Sequence, residues 1–445
     1  MASLARAWAG RAVTHGLLGT AATISLLSIA VKAGTAIREL LIAFFFGTGD
    51  ALDAYLIAYA VPYFLITIIA GSLPVVVVPA YMRLRVRSGQ PVASQLMVST
   101  VVLTVVGLTP VVLALIVGTG LYLPLLGSGF STSKLDLTAS LVVILAPTLL
   151  TSTLIGLIAA LLNAHNRFVL PALSPLITTL TGVCALLAFG TIRALALGTL
   201  AGNLVELSAL ALVLRSIGVP FHSGRFQVSP ELRPVLLLLA PTLVGSVLMA
   251  STVLVDQAMT SPLGPGSVSA LNYANRVVTF PLGLTAAALG TVALPYFSEM
   301  VSREAWQEIR ASMGRYVRLI FLVTCPIAIG LAVLATPLTT VLFARGAFGS
   351  DDVPVVASTI AALALEIPFY SGVILIMRVA LALRLNARLA VISALCVGIN
   401  VALNAWFSTF LGVAGIALST SVVYMCSFML LWAVVSRRLR SVSAG

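Results

Sequence analysis

Runs of about twenty apolar residues recur along the whole sequence, and this repetition restricts the fold more than any other feature. A helix of that length crosses the hydrocarbon of a bilayer, whereas a barrel strand needs only about ten residues. Apolar residues make up 60% of the chain and charged residues only 9%, against about 25% in soluble domains. The sequence therefore predicts an all-α polytopic membrane protein and excludes a soluble core.

The apolar runs predict about twelve transmembrane helices, with boundaries accurate to a few residues. The predicted spans are 17–46, 52–81, 96–126, 138–163, 168–189, 194–214, 234–259, 267–299, 317–343, 355–383, 389–411 and 413–435.

Basic residues alternate between dense and sparse loops along the chain. With the N-terminus in the cytoplasm, the inner loops hold roughly 18 Lys and Arg residues and the outer loops roughly 3, namely Lys134, Arg193 and Arg345. This asymmetry predicts that both termini are cytoplasmic. It also explains the net charge of +12 without a nucleic-acid partner.

An internal repeat relates the two halves of the sequence. The segment FGTGDALDAYL at 46–56 resembles LGPGSVSALNY at 263–273, and VVVVPAYM at 75–82 resembles TVALPYFS at 291–298. The repeat predicts two six-helix lobes with the same orientation. Their predicted ranges are an N-lobe at 1–215, a cytoplasmic linker at 216–233 and a C-lobe at 234–445.

Charged residues inside the predicted spans are the strongest indication of function, because each costs about 3 kcal/mol or more at bilayer depth. They are Lys32, Arg38, Glu39, Asp53, Glu206, Asp256, Arg276, Glu366 and Arg378. The repeat places a cation in each half, Arg38 and Arg276. With Lys32 they predict a site for an anionic group such as a phosphate, which the planar guanidinium fork matches. Internal pairing or snorkelling to the interface is the alternative.

The acidic residues leave several roles open. Asp53 is either a counter-ion for Arg38 or the N-cap of its own helix. Glu39, Asp256 and Glu366 are candidate coupling or counter-ion sites, whereas Glu206 is interpreted as structural. No nucleotide-binding loop, catalytic set or metal-ligand spacing occurs, and His15, His165 and His222 are interpreted as solvated. We therefore expect no enzyme activity and no cofactor, with any transport driven by membrane potential, H⁺ or Na⁺.

Four stretches follow, in order, the pattern of a known family. They are IRELLIAFFFGTGDALDAYLIAYAVPYF (37–64), LLNAHNRFVLPALSPL (161–176), LVDQAMTSPLGPGSVSALNYANRVVTFPLGLTAAALGTVALPYFSE (254–299) and LFARGAFGSDDV (342–353). These stretches resemble the MviN/MurJ family of lipid II flippases, within the multidrug/oligosaccharidyl-lipid/polysaccharide exporter superfamily.

The resemblance implies a MATE-like, V-shaped pair of lobes in the bacterial inner membrane. It implies that a polyprenyl-diphosphate-linked glycan precursor moves from the inner to the outer leaflet, with membrane lipids and cell-envelope glycan enzymes as partners. Arg38, Arg276 and Asp53 match positions that matter in the family, and Lys32 stands where an arginine is usual.

Two departures from the family pattern keep other functions open. No charge follows Pro62, where the family has an arginine pair and an acid, and Asn275 replaces an aspartate beside Arg276. Another lipid-linked glycan is therefore an alternative cargo. An ion-coupled exporter of drugs or metabolites would depend on Asp53 or Asp256 instead of the arginines. A membrane scaffold for glycan enzymes would depend on the loops.

Overall fold

A computed structural model describes residues 27–218 and 232–443, with the backbone alone for some positions within 240–249, 287–292 and 442–443. The predictions for the start of the first span, for His15 and His222 and for most of the linker fall on residues outside these ranges.

Every regular element in the described residues is helical. The first helix, α1, is described over residues 27–46. The others are α2 (Asp50–Ser88), α3 (Gln90–Val117), α4 (Thr119–Leu126), α5 (Thr132–Leu145), α6 (Thr148–Ala164), α7 (Val169–Leu173), α8 (Pro175–Phe189), α9 (Ile192–Ser216), α10 (Leu232–Thr260), α11 (Ser267–Ser302), α12 (Trp306–Val333), α13 (Ala335–Phe343), α14 (Asp352–Ala364), α15 (Glu366–Ala382), α16 (Asn386–Leu411) and α17 (Val413–Ser443), with a short 3₁₀ turn at Ser261–Leu263.

Nine helical segments of the described residues are long and apolar enough to cross a membrane. Two of them, Thr132–Ala164 and Asp352–Ala382, each combine two consecutive helices. Helices α1, α10 and α11 cover the other three predicted spans. The prediction of an all-α polytopic membrane protein is confirmed, and the helix count agrees with about twelve spans.

Contacts divide the chain into two compact units that are each discontinuous in sequence. Unit 1 comprises Met1–Ile42, Val61–Gly120 and Ala139–Ser246. Its core packs buried side chains of α2, α3, α6 and α9 around residues such as Tyr81 and Leu157.

Unit 2 comprises Ala43–Ala60, Leu121–Thr138 and Val247–Gly445. Its core lies among α11, α12, α15 and α17, around residues such as Phe297 and Ile376. The predicted lobe ranges of 1–215, 216–233 and 234–445 stay a prediction.

Candidate functional site

Asp53 is the most completely bonded charged residue in the described part of unit 2. It lies in the first turn of α2 with 0% exposure. One carboxylate oxygen accepts from Lys134 Nζ at 2.9 Å and from the Gly266 N–H at 2.8 Å. The other accepts from the Ser269 N–H at 2.8 Å and from its hydroxyl at 2.6 Å. Four donors thus saturate the carboxylate, which makes its burial tolerable.

Both roles considered for Asp53 from the sequence are wrong. Its cationic partner is Lys134 and not Arg38. It caps the N-terminus of α11 and not that of α2, because the orphan N–H groups that it accepts from belong to Gly266 and Ser269. An aspartate beside a helix N-terminus is favourable whichever helix supplies it, so the sequence alone did not identify the partner helix.

Lys134 is a functional candidate that the sequence did not single out. It is only 7% exposed, although the loop around it was predicted to be outside. Its ammonium donates to Asp50 at 2.6 Å as well as to Asp53, and it lies 3.9 Å from the centre of the Phe130 ring. The Phe130 ring and two carboxylates replace the water that a buried ammonium loses.

The two repeat-related turns pack backbone against backbone beside this pair. Gly47 has φ +53° and Gly266 has φ +78°, and a Cβ at either position would overlap a carbonyl oxygen, of Ala347 and Thr48 respectively. Because a carbonyl oxygen lies so close to each Cα, only glycine fits at either position.

Further contacts extend the same cluster. The Tyr273 hydroxyl donates to the Gly47 carbonyl at 3.0 Å, and Thr48 donates to Asp352. We call the cluster formed by residues 44–53, 130–134, 266–273 and 347–352, all within unit 2, the Asp53 junction.

Arg38 lies in unit 1 on α1 and is half-buried. Its guanidinium donates to the Thr199 hydroxyl of α9 at 3.1 Å. The guanidinium packs against α8, where a Cβ at Gly182 would be in van der Waals contact with the Arg38 Nε at 3.7 Å. Lys32 on the same helix is exposed, and Glu39 is half-buried.

Arg276 lies in unit 2 on α11 and is exposed. Phe280 and Leu284 follow it at four-residue spacing and are also exposed, which places the cation at the head of an apolar stripe. That Arg38 and Arg276 contact one headgroup stays a prediction.

Asp256 of α10 is surrounded by polar side chains of two other helices. One carboxylate oxygen accepts from Asn400 at 3.1 Å and from Asn404 at 2.7 Å, both on α16. The other accepts from the Thr420 hydroxyl of α17 at 3.0 Å. The sequence indicated Asp256 but not its partners, although Asn400 and Asn404 share a helix face at four-residue spacing.

Two oxygen atoms near this cluster have no hydrogen-bond partner among the described residues. They are the Asn404 Oδ1 and the Glu366 Oε2, and both side chains are buried. Buried oxygens without a hydrogen-bond partner are rare, so these two atoms are candidates to bind a cation or to carry a proton. Among the described residues, no group of three or more His, Cys, Asp or Glu side chains is placed to hold a metal.

Two other polar clusters lie in unit 1. Glu206 is buried and accepts from Ser174 at 2.8 Å and Thr178 at 2.7 Å, an arrangement that joins α9 to α8 and fits a structural role.

His165 was interpreted as merely solvated, and that interpretation is wrong. It bonds the buried Tyr81 hydroxyl at 3.0 Å and Arg85 at 3.2 Å. Burial and, to a lesser extent, the Arg85 charge lower the pKa of His165. The sequence contained no signal for this contact, because Tyr81 and His165 are 84 residues apart.

The apolar helices, which carry arginines and a buried polar cluster, define a multi-pass membrane protein. The profile of the family described as "Lipid II flippase MurJ" matches residues 42–444. The chain belongs to this family.

Individual relatives agree with the family match. The chain is 27% identical over 450 residues to the probable lipid II flippase MurJ of Synechocystis sp., covering 97% of this chain and 84% of that protein. A solved lipid II flippase MurJ in an inward closed conformation superposes with a TM-score of 0.80 at 25% identity, covering 95% of this chain and 90% of that one. An inward-facing multidrug resistance MATE transporter has a TM-score of 0.75 at 12% identity, covering 94% and 99%, which extends the likeness of fold to the MATE group.

Proposed function

We propose that this protein is a lipid II flippase that moves the polyprenyl-diphosphate-linked glycan precursor from the inner to the outer leaflet. The observation that carries the proposal is the placement of Arg38 and Arg276 within apolar helices of a chain whose residues 42–444 match the MurJ family. A diphosphate cannot enter hydrocarbon without partners, and arginines on the spanning helices replace its hydration.

Arg38 supplies a headgroup contact in unit 1. Its link to Thr199 orients the guanidinium, whose planar fork of donors matches a phosphate. Lys32, six residues earlier and exposed, adds a point charge on the same helix. Arg276 supplies the corresponding cation in unit 2. The exposed stripe below it is an apolar surface that suits a polyprenyl chain.

Asp53 takes a different part in this proposal. Its carboxylate is occupied by four protein donors, so it acts through the packing of the Asp53 junction and does not contact the headgroup in this conformation.

Coupling to a monovalent cation is proposed at Asp256. The Asp256 carboxylate, the Thr420 hydroxyl and the Asn404 Oδ1, which has no hydrogen-bond partner among the described residues, are oxygen atoms of the kind that a hard cation such as Na⁺ prefers. Asn400 and Asn404 turn their amide nitrogens toward the carboxylate, so a bound cation would replace those two hydrogen bonds. Glu366 and Glu39 are the candidates for a proton or a counter-ion. Movement of one charge through a potential of 100 mV supplies about 2.3 kcal/mol.

The membrane location and the topology are proposed from the same family membership. We propose a multi-pass protein of the bacterial inner membrane with both termini in the cytoplasm, acting as a transporter without enzyme activity beside enzymes of glycan synthesis. Neither the exporter nor the scaffold alternative is favoured by the comparisons with known proteins.

Complementation of a bacterial strain depleted of its lipid II flippase tests the proposal. We expect the wild-type chain to restore growth, and Arg38→Ala and Arg276→Ala to fail at equal membrane abundance. Arg193→Ala is the control, since that arginine is exposed at the start of α9. A wild type that inserts without restoring growth would argue for another lipid-linked glycan. Full activity of both alanine variants would refute the headgroup assignment.

A further inference from the structure

A basic groove runs along the first turns of α12 in unit 2, and neither Asp53, Asp256 nor Arg276 lines it. It has a volume of about 650 Å³. Its lining includes Trp306, Arg310, Gly314, Arg315, Arg318 and Leu439. The four-residue spacing of Trp306, Arg310, Gly314 and Arg318 places them on one face of α12, and Leu439 of α17 contributes the opposite wall.

Gly314 makes the centre of this groove concave. A Cβ built at that position meets no atom within 4 Å, so open space lies directly above the helix backbone. Arg310 precedes this space by one turn and Arg318 follows it by one turn. A compact anion above Gly314 is therefore within reach of guanidinium groups from both sides.

The charge of the groove is entirely positive. Arg310, Arg315 and Arg318 are exposed, and none of the described residues that line the groove is acidic. Basic residues in a loop orient a membrane protein without any defined shape. Here they surround a cavity with a glycine at its base, and this geometry points to a bound anion.

The surface beyond the groove indicates what kind of anion binds. Leu319, Leu322 and Val323 continue α12 with 53%, 71% and 53% of their surfaces exposed. Trp306, at the polar end, is the residue type that anchors a helix at the membrane interface. A ligand that uses both surfaces has an anionic head and an apolar tail.

We propose that the basic groove binds the phosphodiester headgroup of an anionic phospholipid, with an acyl chain lying along Leu319 and Leu322. Basic pockets between membrane helices recognise anionic headgroups by this combination of charge and interface position. The lipid is distinct from the transported precursor, because the groove contains neither Arg38 nor Arg276.

Quenching of Trp306 fluorescence tests the proposal on the full-length protein. The variant with Trp8→Phe, Trp406→Phe and Trp432→Phe retains Trp306 alone. It is titrated in neutral detergent with phosphatidylglycerol or phosphatidylcholine brominated near the carboxyl ends of the acyl chains. We expect half-quenching at a phosphatidylglycerol concentration lower by at least about tenfold, with three arginines allowing up to about a hundredfold. Equal quenching by the two lipids would overturn the proposal.

Two variants separate charge from shape. Arg310→Gln/Arg315→Gln/Arg318→Gln removes the charge, whereas Gly314→Leu fills the concavity and leaves all three arginines in place. Both should abolish the preference for phosphatidylglycerol. The control Arg83→Gln/Arg87→Gln/Arg193→Gln removes as many exposed charges elsewhere and should retain it. A preference that survives in both groove variants would overturn the assignment.

Competition distinguishes the source of the anion. Inorganic phosphate at 10 mM should not displace the brominated phosphatidylglycerol, because it lacks the acyl chain. Displacement by phosphate alone would contradict the lipid assignment and indicate that the groove binds a soluble anion. Displacement by poly-glutamate would likewise contradict it and indicate an acidic protein segment. If the single-tryptophan protein does not fold, mass spectrometry of lipid adducts on the otherwise unaltered chain gives the same comparison.

Discussion

The Ser269 hydroxyl donates to the Asp53 carboxylate at 2.6 Å, although the two residues are 216 positions apart in the sequence. The bond joins the second helix of the first repeat to the matching helix of the second repeat, at the start of each. Lys134 completes the pair from a third segment.

Asp53→Asn should destabilise the protein by about 3–5 kcal/mol, because it leaves the buried Lys134 ammonium with only the exposed Asp50 carboxylate as an ionic partner. Lys134→Met should have a similar effect for the converse reason. The double variant Asp53→Asn/Lys134→Met should be less destabilised than the sum of the two. Thermal unfolding in detergent measures all three.

Asp50→Asn is the matched control for that series. Asp50 also pairs with Lys134, but its side chain is 61% exposed, so water replaces the lost contact. Additive effects of the Asp53 and Lys134 changes would contradict the direct pair.

Gly266→Ala should be much more destabilising than Gly264→Ala. Both glycines have positive φ, so both alanines are strained: by about 1–2 kcal/mol at Gly266, which is left-handed with φ +78°, and by about 1–3 kcal/mol at Gly264, whose φ of +119° lies in a region that almost only glycine adopts. At Gly266 the new Cβ would also overlap the Thr48 carbonyl oxygen, whereas at Gly264 it meets nothing within 4 Å. Midpoints of thermal unfolding for the two variants compare these costs, and equal losses would contradict the close approach of the two turns.

Unfolding should become easier in acid in a way that depends on His165. Its pKa is lowered from the usual 6.5, so the folded protein favours the neutral ring and the unfolded chain binds the proton more readily. The contribution of the lowered His165 pKa to the free energy of unfolding is fully present above pH 6.5. It is lost as the pH falls through 6.5 toward the pKa of the folded protein.

The His165→Gln variant removes that titration. We expect its unfolding midpoint to change less than that of the wild type between pH 7.5 and 5. His165 also bonds Tyr81, so stability at pH 7.5 is recorded separately for each protein. Parallel pH profiles for the two proteins would refute the assignment to His165.

Sodium should raise the unfolding temperature of the wild type relative to choline at the same ionic strength. A ligand at a hundred times its Kd stabilises the folded state by about 2.7 kcal/mol. Asp256→Asn and Asn404→Ala should remove the sodium effect, because the first removes the negative charge of the carboxylate and the second removes the Asn404 Oδ1, which has no partner among the described residues.

Glu366→Gln separates sodium from proton coupling. If Glu366 is a proton site outside the cation cluster, the variant should keep the sodium effect and lose the pH dependence of transport. A sodium effect that persists in Asp256→Asn would place the cation elsewhere.

Much of the fold could be predicted from the sequence, because the bilayer imposes a length and a composition on every spanning helix. The apolar runs located the helices, and the repeat paired the turn at Gly47 and Gly49 with the turn at Gly264 and Gly266. Intramembrane charge likewise drew attention to Arg38, Asp53, Asp256 and Arg276, since each costs energy wherever it lies.

The partners of those residues could not be predicted in the same way. The sequence predicted that Lys134 is a cation of an outer loop. It gave no indication that Asn400, Asn404 and Thr420 differ from other polar residues of membrane helices. Uncharged side chains leave little trace in a hydropathy pattern, and a hydrogen bond between distant segments leaves none.

The sequence by itself thus determined the class of the protein, its helices and the places where charge enters the membrane, because these depend on local composition and periodicity. Only the tertiary structure decided that Asp53 caps α11 and pairs with Lys134, that Asp256 gathers α16 and α17, and that three arginines surround an open glycine on α12. Those relationships depend on which helices pack together. Packing depends on how the side-chain surfaces of whole helices fit one another, and a local stretch of sequence does not contain that information.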